Sequence, residues 1–116
     1  AAIRDQARQL KAGLSWSAFD DDDHNVTDSE IHRLVQALSS HGLVEYLVGN
    51  GDEFLAIIEP QVVDYWPRFA VLRSTDVVQL SRFAYRRRRS NALILESPLW
   101  GALFVVCDPD LAATLI

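Results

Sequence analysis

The segment Leu80–Pro109, LSRFAYRRRRSNALILESPLWGALFVVCDP, decides the fold. Its basic run is followed by two apolar runs, and turn-forming residues separate them at Ser90-Asn91 and at Pro98 to Gly101. Apolar runs of β-branched and aromatic residues bounded by such turns favour β-strands. The segment therefore predicts a basic strand over residues 76–87, followed by two apolar strands of a small antiparallel sheet.

A short helix is predicted after the second apolar strand. Asp108 suits the N-cap position, and Pro109 suits the first helical position.

The N-terminal part predicts helices. Apolar residues recur at helical spacing over residues 3–14, and Trp16 and Phe19 suit a short second helical turn. Residues 20–25, DDDDHN, lack the glycine and glutamate offsets of a calcium loop. His24 has no second histidine at metal-ligand spacing, so a solvated loop is the favoured interpretation.

The clearest helix signal begins at Thr27. Thr27 and Glu30 have the spacing of a capping box, and Gly42 supplies a left-handed stop, so we expect a helix over residues 28–41. The segments 43–48 and 53–58 flank an Asn-Gly pair that predicts a tight β-hairpin.

Helical segments followed by a hairpin are the order of a winged helix. The predicted fold class is α+β: a winged-helix-like helical module with a β-hairpin, followed by a small antiparallel β-sheet and a C-terminal helix. We expect the module to occupy residues 1–60. Residues 61–116 would hold an aromatic connector, which seals the helices against the sheet, and then the sheet and the terminal helix.

Composition limits the function classes. A net charge of -5 and a pI near 5.0 do not favour condensation of the whole chain on nucleic acid or an anionic membrane. No signal peptide or membrane-spanning run is present, so we expect a cytoplasmic protein. The single cysteine, Cys107, is expected to pack as a small hydrophobe, and the absence of methionine predicts a fragment of a longer protein.

The dense positive charge lies in Arg86, Arg87, Arg88 and Arg89, with Arg82 just upstream. Alternate residues of a strand point to opposite faces, so at most half of this run converges on one anion. Four interpretations stay open: a solvated edge that blocks aggregation, a surface for an acidic peptide or partner, a flavin phosphate site, and nucleic-acid binding. The acidic surface of the predicted third helix and hairpin disfavours the last of these.

The sequence contains no catalytic or metal-binding constellation. Its serines lack a glycine elbow, its histidines cluster in the helical part, and no glycine-rich phosphate loop is present. Glu96, at the end of a predicted strand, is expected to satisfy turn amides or to pair with an arginine.

Three runs carry a family resemblance: LSRFAYRRRR at 80–89, LILESPL at 93–99 and CDP at 107–109. In order and spacing they resemble the N-terminal region of the SagB-type dehydrogenases, the FMN-dependent azoline oxidases of thiazole/oxazole-modified peptide biosynthesis. The resemblance implies a nitroreductase-like, FMN-binding domain outside this chain. It also implies that the winged-helix-like part engages a precursor's leader peptide by adding a strand to a sheet edge.

We therefore expect a noncatalytic peptide-recognition or scaffold region of an azoline dehydrogenase. Its expected partners are the precursor peptide or the flavin domain, and homo-oligomerisation is left open. The alternative is a winged-helix module that binds DNA or another protein.

Overall fold

The computed structural model describes residues 2–15, 26–50, 53–67 and 70–115. In these residues the elements follow in the order α1 (Ala2–Ala12), α2 (Val26–Ser40), β1 (Tyr46–Asn50), β2 (Glu53–Pro60), β3 (Tyr85–Arg89), β4 (Ala92–Glu96), β5 (Ala102–Val106) and α3 (Pro109–Thr114). The strands form one antiparallel sheet in the order β1-β2-β5-β4-β3. The predicted α+β class is confirmed.

Both predicted N-terminal helices are present. α1 ends before Gly13, whose amide donates to the carbonyl of Gln9 at 2.8 Å and whose φ is +114°. α2 begins at Val26, one residue before the predicted cap. The predicted helical turn at Trp16 and Phe19, and the acidic segment 20–25, lie outside the described residues.

α2 ends with the predicted left-handed glycine. Gly42 has a φ of +70°, its amide donates to the carbonyl of Ser39, and the amide of Leu43 donates to the carbonyl of Leu38 at 2.9 Å. This pair of bonds is the Schellman motif, which satisfies helix carbonyls that have no partner inside the helix.

The predicted hairpin is formed by β1 and β2, with a bulge between Val48 and Gly49. The turn residues 51 and 52 lie outside the described residues. β2 also pairs with β5, so the sheet continues across the predicted boundary at residue 60. The division into 1–60 and 61–116 stays a prediction, but the two parts share one hydrogen-bonded sheet.

The basic strand is shorter than predicted. Residues 76–84 do not belong to the strand, which covers only Tyr85–Arg89. Its partner β4 has five residues, and each of them pairs with one residue of β3. Val77, Val78 and Leu80 have the apolar pattern of a strand but no partner strand to pair with, and they are exposed. The two apolar strands that follow are confirmed as β4 and β5.

The C-terminal helix begins as predicted. The carboxylate of Asp108 accepts a hydrogen bond of 2.7 Å from the amide of Leu111, and Pro109 is in the first turn. The prediction for Cys107 was wrong, because its side chain is exposed. Cys107 lies one residue beyond β5, where the chain leaves the sheet.

A core cluster joins the helical part to the sheet. Tyr46, Ile58 and Ala102 are its buried members. The hydroxyl groups of Ser39 on α2 and Tyr46 on β1 are hydrogen bonded at 2.9 Å, and both residues are buried. The rings of Tyr65 and Trp66 contact Tyr46 edge-on, with centroids 6.1 and 6.2 Å away. These two connector residues therefore pack on the sheet at Tyr46. That the connector seals the helices against the sheet stays a prediction, and Phe69 lies outside the described residues.

Candidate functional site

The arginine run forms an edge of the sheet. β3 is an end strand, and all five of its residues are exposed. A two-residue turn at Ser90-Asn91 connects it to β4, with Arg89 opposite Ala92, and Ser90 has a φ of +55°. The run therefore occupies the strand-to-turn position that the sequence predicted.

Alternate arginines lie on opposite faces of the sheet, as predicted. Arg87 is in register with Ile94, Val105 and Ile57, and Arg86 is in register with Leu95, Phe104, Ile58 and Tyr46. Cross-strand partners share a face. We call the side of Arg87 and Arg89 the Ile94 face and the side of Arg86 and Arg88 the Tyr46 face.

On the Ile94 face, Arg87 forms an ion pair with Glu96 of the adjacent strand. The predicted pairing of Glu96 with an arginine is confirmed. The hydrogen bond from Arg87 lowers the pKa of Glu96 below its usual value, although partial burial acts in the opposite direction. Burial is the larger cause that raises the pKa of Tyr85 above its usual value, and the carboxylate of Glu96 raises it further.

Arg89 forms the second ion pair of this face, with Glu59 of β2. Two hydrogen bonds of 2.7 and 3.1 Å join the guanidinium group to the two carboxylate oxygens. The strands β4 and β5 lie between β3 and β2. When the pairing register is followed across these strands, the residue of β2 that lies level with Arg89 is four residues before Glu59. In a flat sheet the two Cα atoms would be roughly 20 Å apart, given about 4.8 Å between strands and about 3.4 Å per residue.

That separation is more than the two side chains can span. A twisted sheet brings one pair of diagonal corners together above one face. The Arg89–Glu59 pair therefore indicates that the Ile94 face is concave along the diagonal that joins these two residues. Ile94 and Leu103 are fully buried on this face. The hydrogen bond with Arg89 lowers the pKa of Glu59, and the same bond raises the pKa of Arg89.

The remaining arginines lie apart from these pairs. Arg86 donates to the backbone carbonyl of Leu115, just after α3. Arg88 forms no ion pair or hydrogen bond with another described side chain. Arg82 precedes the strand, and its guanidinium carbon lies 4.7 Å above the centre of the Phe83 ring.

The structure thus separates the five predicted contact residues. A phosphate cradle needs several donors aimed at one point, whereas these side chains point to two faces and two of them hold carboxylates. The flavin-phosphate interpretation stays a prediction. Arg86 and Arg88, on the Tyr46 face of the edge, form no ion pair with a described side chain.

The other end strand of the sheet is β1. Beside it runs a groove of about 500 Å³ between the C-terminal ends of α1 and α2. Five leucines and two valines belong to its lining: Leu10, Leu14, Val35, Leu38, Leu43, Val44 and Leu47. Sequence analysis missed this groove, because its lining comes from three elements whose packing no local pattern specifies.

Glu59 was also missed as a site residue. In the sequence it is one acidic residue of the predicted hairpin region, and its partner is 30 residues away. The available signal was its position between Ile58 and Pro60, at the end of an otherwise apolar strand.

The segment that precedes β3 has an apolar surface. Large apolar side chains of the segment between residues 71 and 83 are exposed, including Val71 at 96 %, Val77 at 95 % and Val78 at 69 %. Another exposed pair, Leu99 and Trp100, lies in the β4–β5 turn.

Within the described ranges, no three metal-ligating side chains lie close enough to share an ion. In the same residues, no helix has the length and apolarity required to cross a bilayer.

Comparison with known families gives one match in this region. The model of the family described as cyanobactin oxidase ThcOx matches residues 78–116, about a third of the chain. The matched part contains β3, β4, β5 and α3, and thus the whole arginine run. No curated protein was found to match the chain. The predicted link to an azoline-oxidase family is supported at this coarse level by the family match.

Proposed function

We propose that this chain is the noncatalytic peptide-recognition or scaffold region of an FMN-dependent azoline dehydrogenase that acts in the biosynthesis of azole-containing ribosomal peptides. The match of residues 78–116 to the cyanobactin oxidase family carries this proposal. The three SagB-type runs quoted above all lie in the same segment and support a relative of that group. FMN, and the residues that oxidise an azoline ring to an azole, would belong to a domain outside this chain.

The N-terminal elements have the order of a winged helix that binds peptides. α2 is followed directly by the β1–β2 hairpin, and α1 packs against α2. A leader peptide would add a strand to the outer edge of β1, where backbone hydrogen bonds would supply affinity. Its apolar side chains would enter the leucine-lined groove between α1, α2 and β1.

The exposed acidic side chains of α2 and of the hairpin region favour DNA binding less than peptide binding. The exposed surface of α2 includes Glu30, and the hairpin region adds exposed Glu45 and Glu53. Phosphate contacts need basic side chains, which dominate affinity for nucleic acids.

A matched pair of leucine variants tests the groove. Leu43 lines the groove and is 68 % exposed, whereas Leu99 lies in the β4–β5 turn and is 67 % exposed. A library of displayed twelve-residue peptides would be selected on the unmodified chain. We expect Leu43→Asp to abolish binding of the enriched peptides and Leu99→Asp to leave it unchanged. Equal binding by both variants, or no enrichment, would count against the groove.

The oxidoreductase part needs a separate measurement. The polypeptide that contains this chain would be purified from its natural source, and its mass and visible absorbance recorded. We expect a heavier protein with bound flavin that removes two hydrogens from an azoline-containing peptide. A heavier protein that neither binds FMN nor oxidises an azoline would end this part of the proposal, whatever the peptide result.

A further inference from the structure

We propose that the outer edge of β3 binds an extended acidic segment of a partner protein as an added strand. The acidic residues of that segment would occupy alternate positions, opposite Arg86 and Arg88. This surface is at the other end of the sheet from the proposed leader site. The inference therefore holds or fails independently of the proposed function.

The backbone of β3 is available for pairing at two residues. Arg89 and Ala92 flank a two-residue turn, and such residues form a hydrogen-bonded pair. Hydrogen-bonded and non-hydrogen-bonded pairs alternate along an antiparallel ladder. The amides and carbonyls of Arg86 and Arg88 consequently point away from β4, and neither residue makes a backbone bond to a described loop or turn.

Neither of these two residues forms an ion pair with a side chain in the part of the chain that the structure describes. Arg86 donates to a backbone carbonyl, and Arg88 has no described side-chain partner. Arg87 and Arg89, between and beside them, are already paired with carboxylates on the other face. The edge thus presents positive charge at every second residue, a spacing of about 6.8 Å along the strand.

These features favour an acidic peptide over other occupants. A second copy of β3 would place arginines opposite arginines, which is destabilising across strands. A nucleic acid would satisfy the positive charge, but its phosphates cannot donate to the outward carbonyls of Arg86 and Arg88. A peptide strand supplies both donors and acceptors, and glutamates at alternate positions bring their carboxylates to the Tyr46 face.

The test uses the full 116-residue chain and three synthetic ten-residue probes. The first alternates glutamate with threonine or valine. The second has the same composition with its glutamates adjacent, and the third is the first with N-methylated amides on the residues that would pair with β3. Affinity is measured at low and high salt, and amide exchange is followed by NMR.

We expect the alternating peptide to bind most tightly, with affinity that falls as salt is added. The amides of Arg86 and Arg88 should gain protection from exchange. Arg88→Glu should weaken binding roughly tenfold, because an attractive cross-strand pair becomes a repulsive one. Arg88→Gln should cause a smaller loss, and Arg33→Glu, the same charge change on the exposed side of α2, should cause none.

Several outcomes would overturn the proposal. The peptide with adjacent glutamates could bind as tightly as the alternating peptide, or the N-methylated peptide could bind without loss of affinity. Protection of amides from exchange could also appear at β1 instead of β3. Single-stranded DNA that binds as tightly as the alternating peptide, with the same dependence on Arg88, would assign the edge to nucleic acid instead.

Discussion

Ile94 should be the most sensitive apolar position of the sheet. Its side chain is completely buried, at 0 % exposure, in β4 between β3 and β5. Replacement by alanine removes three carbon groups, worth about 0.8 kcal/mol each, or about 2.4 kcal/mol in all. A residual cavity adds to this loss, so we expect Ile94→Ala to cost about 3 kcal/mol. Ile94→Val should cost about 1 kcal/mol.

The assay is urea unfolding followed by the fluorescence of the three tryptophans. The transition midpoint should fall while the slope with denaturant stays constant, because the surface exposed on unfolding hardly changes. In thermal unfolding, a loss of about 3 kcal/mol corresponds to a Tm lower by about 12 °C for a chain of this size. Val77→Ala, at a position that is 95 % exposed, should change stability by less than about 0.5 kcal/mol.

A loss below about 1 kcal/mol for Ile94→Ala would refute this reasoning, because it would mean that the concave face is not closely packed. A second comparison tests the same packing. Leu103 is 2 % exposed on the same face, diagonally across from Ile94. The double variant Ile94→Ala/Leu103→Ala should therefore depart from the sum of the two single losses.

Three further predictions concern other positions. The pKa of Glu59 is lowered by its bond to Arg89, so its contribution to stability is present above pH 4.5 and lost as the pH falls through the lowered pKa; Glu59→Gln should remove this part of the acid dependence in pH-dependent urea unfolding. Gly49→Ala should destabilise the hairpin, because an added Cβ would lie 2.2 Å from the carbonyl oxygen of Glu53, and a lower Tm would show it. Cys107 is exposed, so a thiol reagent should modify the native chain without prior unfolding, and protection of the thiol until the chain unfolds would contradict the exposed position.

The elements predicted best are those fixed by neighbouring residues. The end of α2 depends on Gly42, and the start of α3 depends on the carboxylate of Asp108, three residues from the amide that it accepts. The turns that bound β4 and β5 are equally local. Such signals are readable because each lies within one turn of the chain.

Long-range pairing was not readable in the same way. The apolar pattern of Val77, Val78 and Leu80 favoured a strand, but a strand also needs a partner strand. All five residues of β4 already pair with residues 85–89, so β4 has no residue left to pair with this segment. The pairing of β2 with β5, and the diagonal link from Arg89 to Glu59, depend on the twist and strand order of the whole sheet. The arginine run was predicted at the end of a strand, before a turn, and this position is confirmed. Its division into paired and unpaired residues depends on the carboxylates of Glu96 and Glu59.

The order of the strands also matters while the chain is being synthesised. β2 emerges from the ribosome more than 40 residues before β5, the strand that covers its second edge. Until then, the edge of an apolar strand that contains Phe54, Ile57 and Ile58 has no partner, and such edges recruit other chains. Protection of the nascent hairpin therefore depends on a strand from the C-terminal end of the sequence, and a chain cut at residue 60 would keep its aggregation-prone edge permanently.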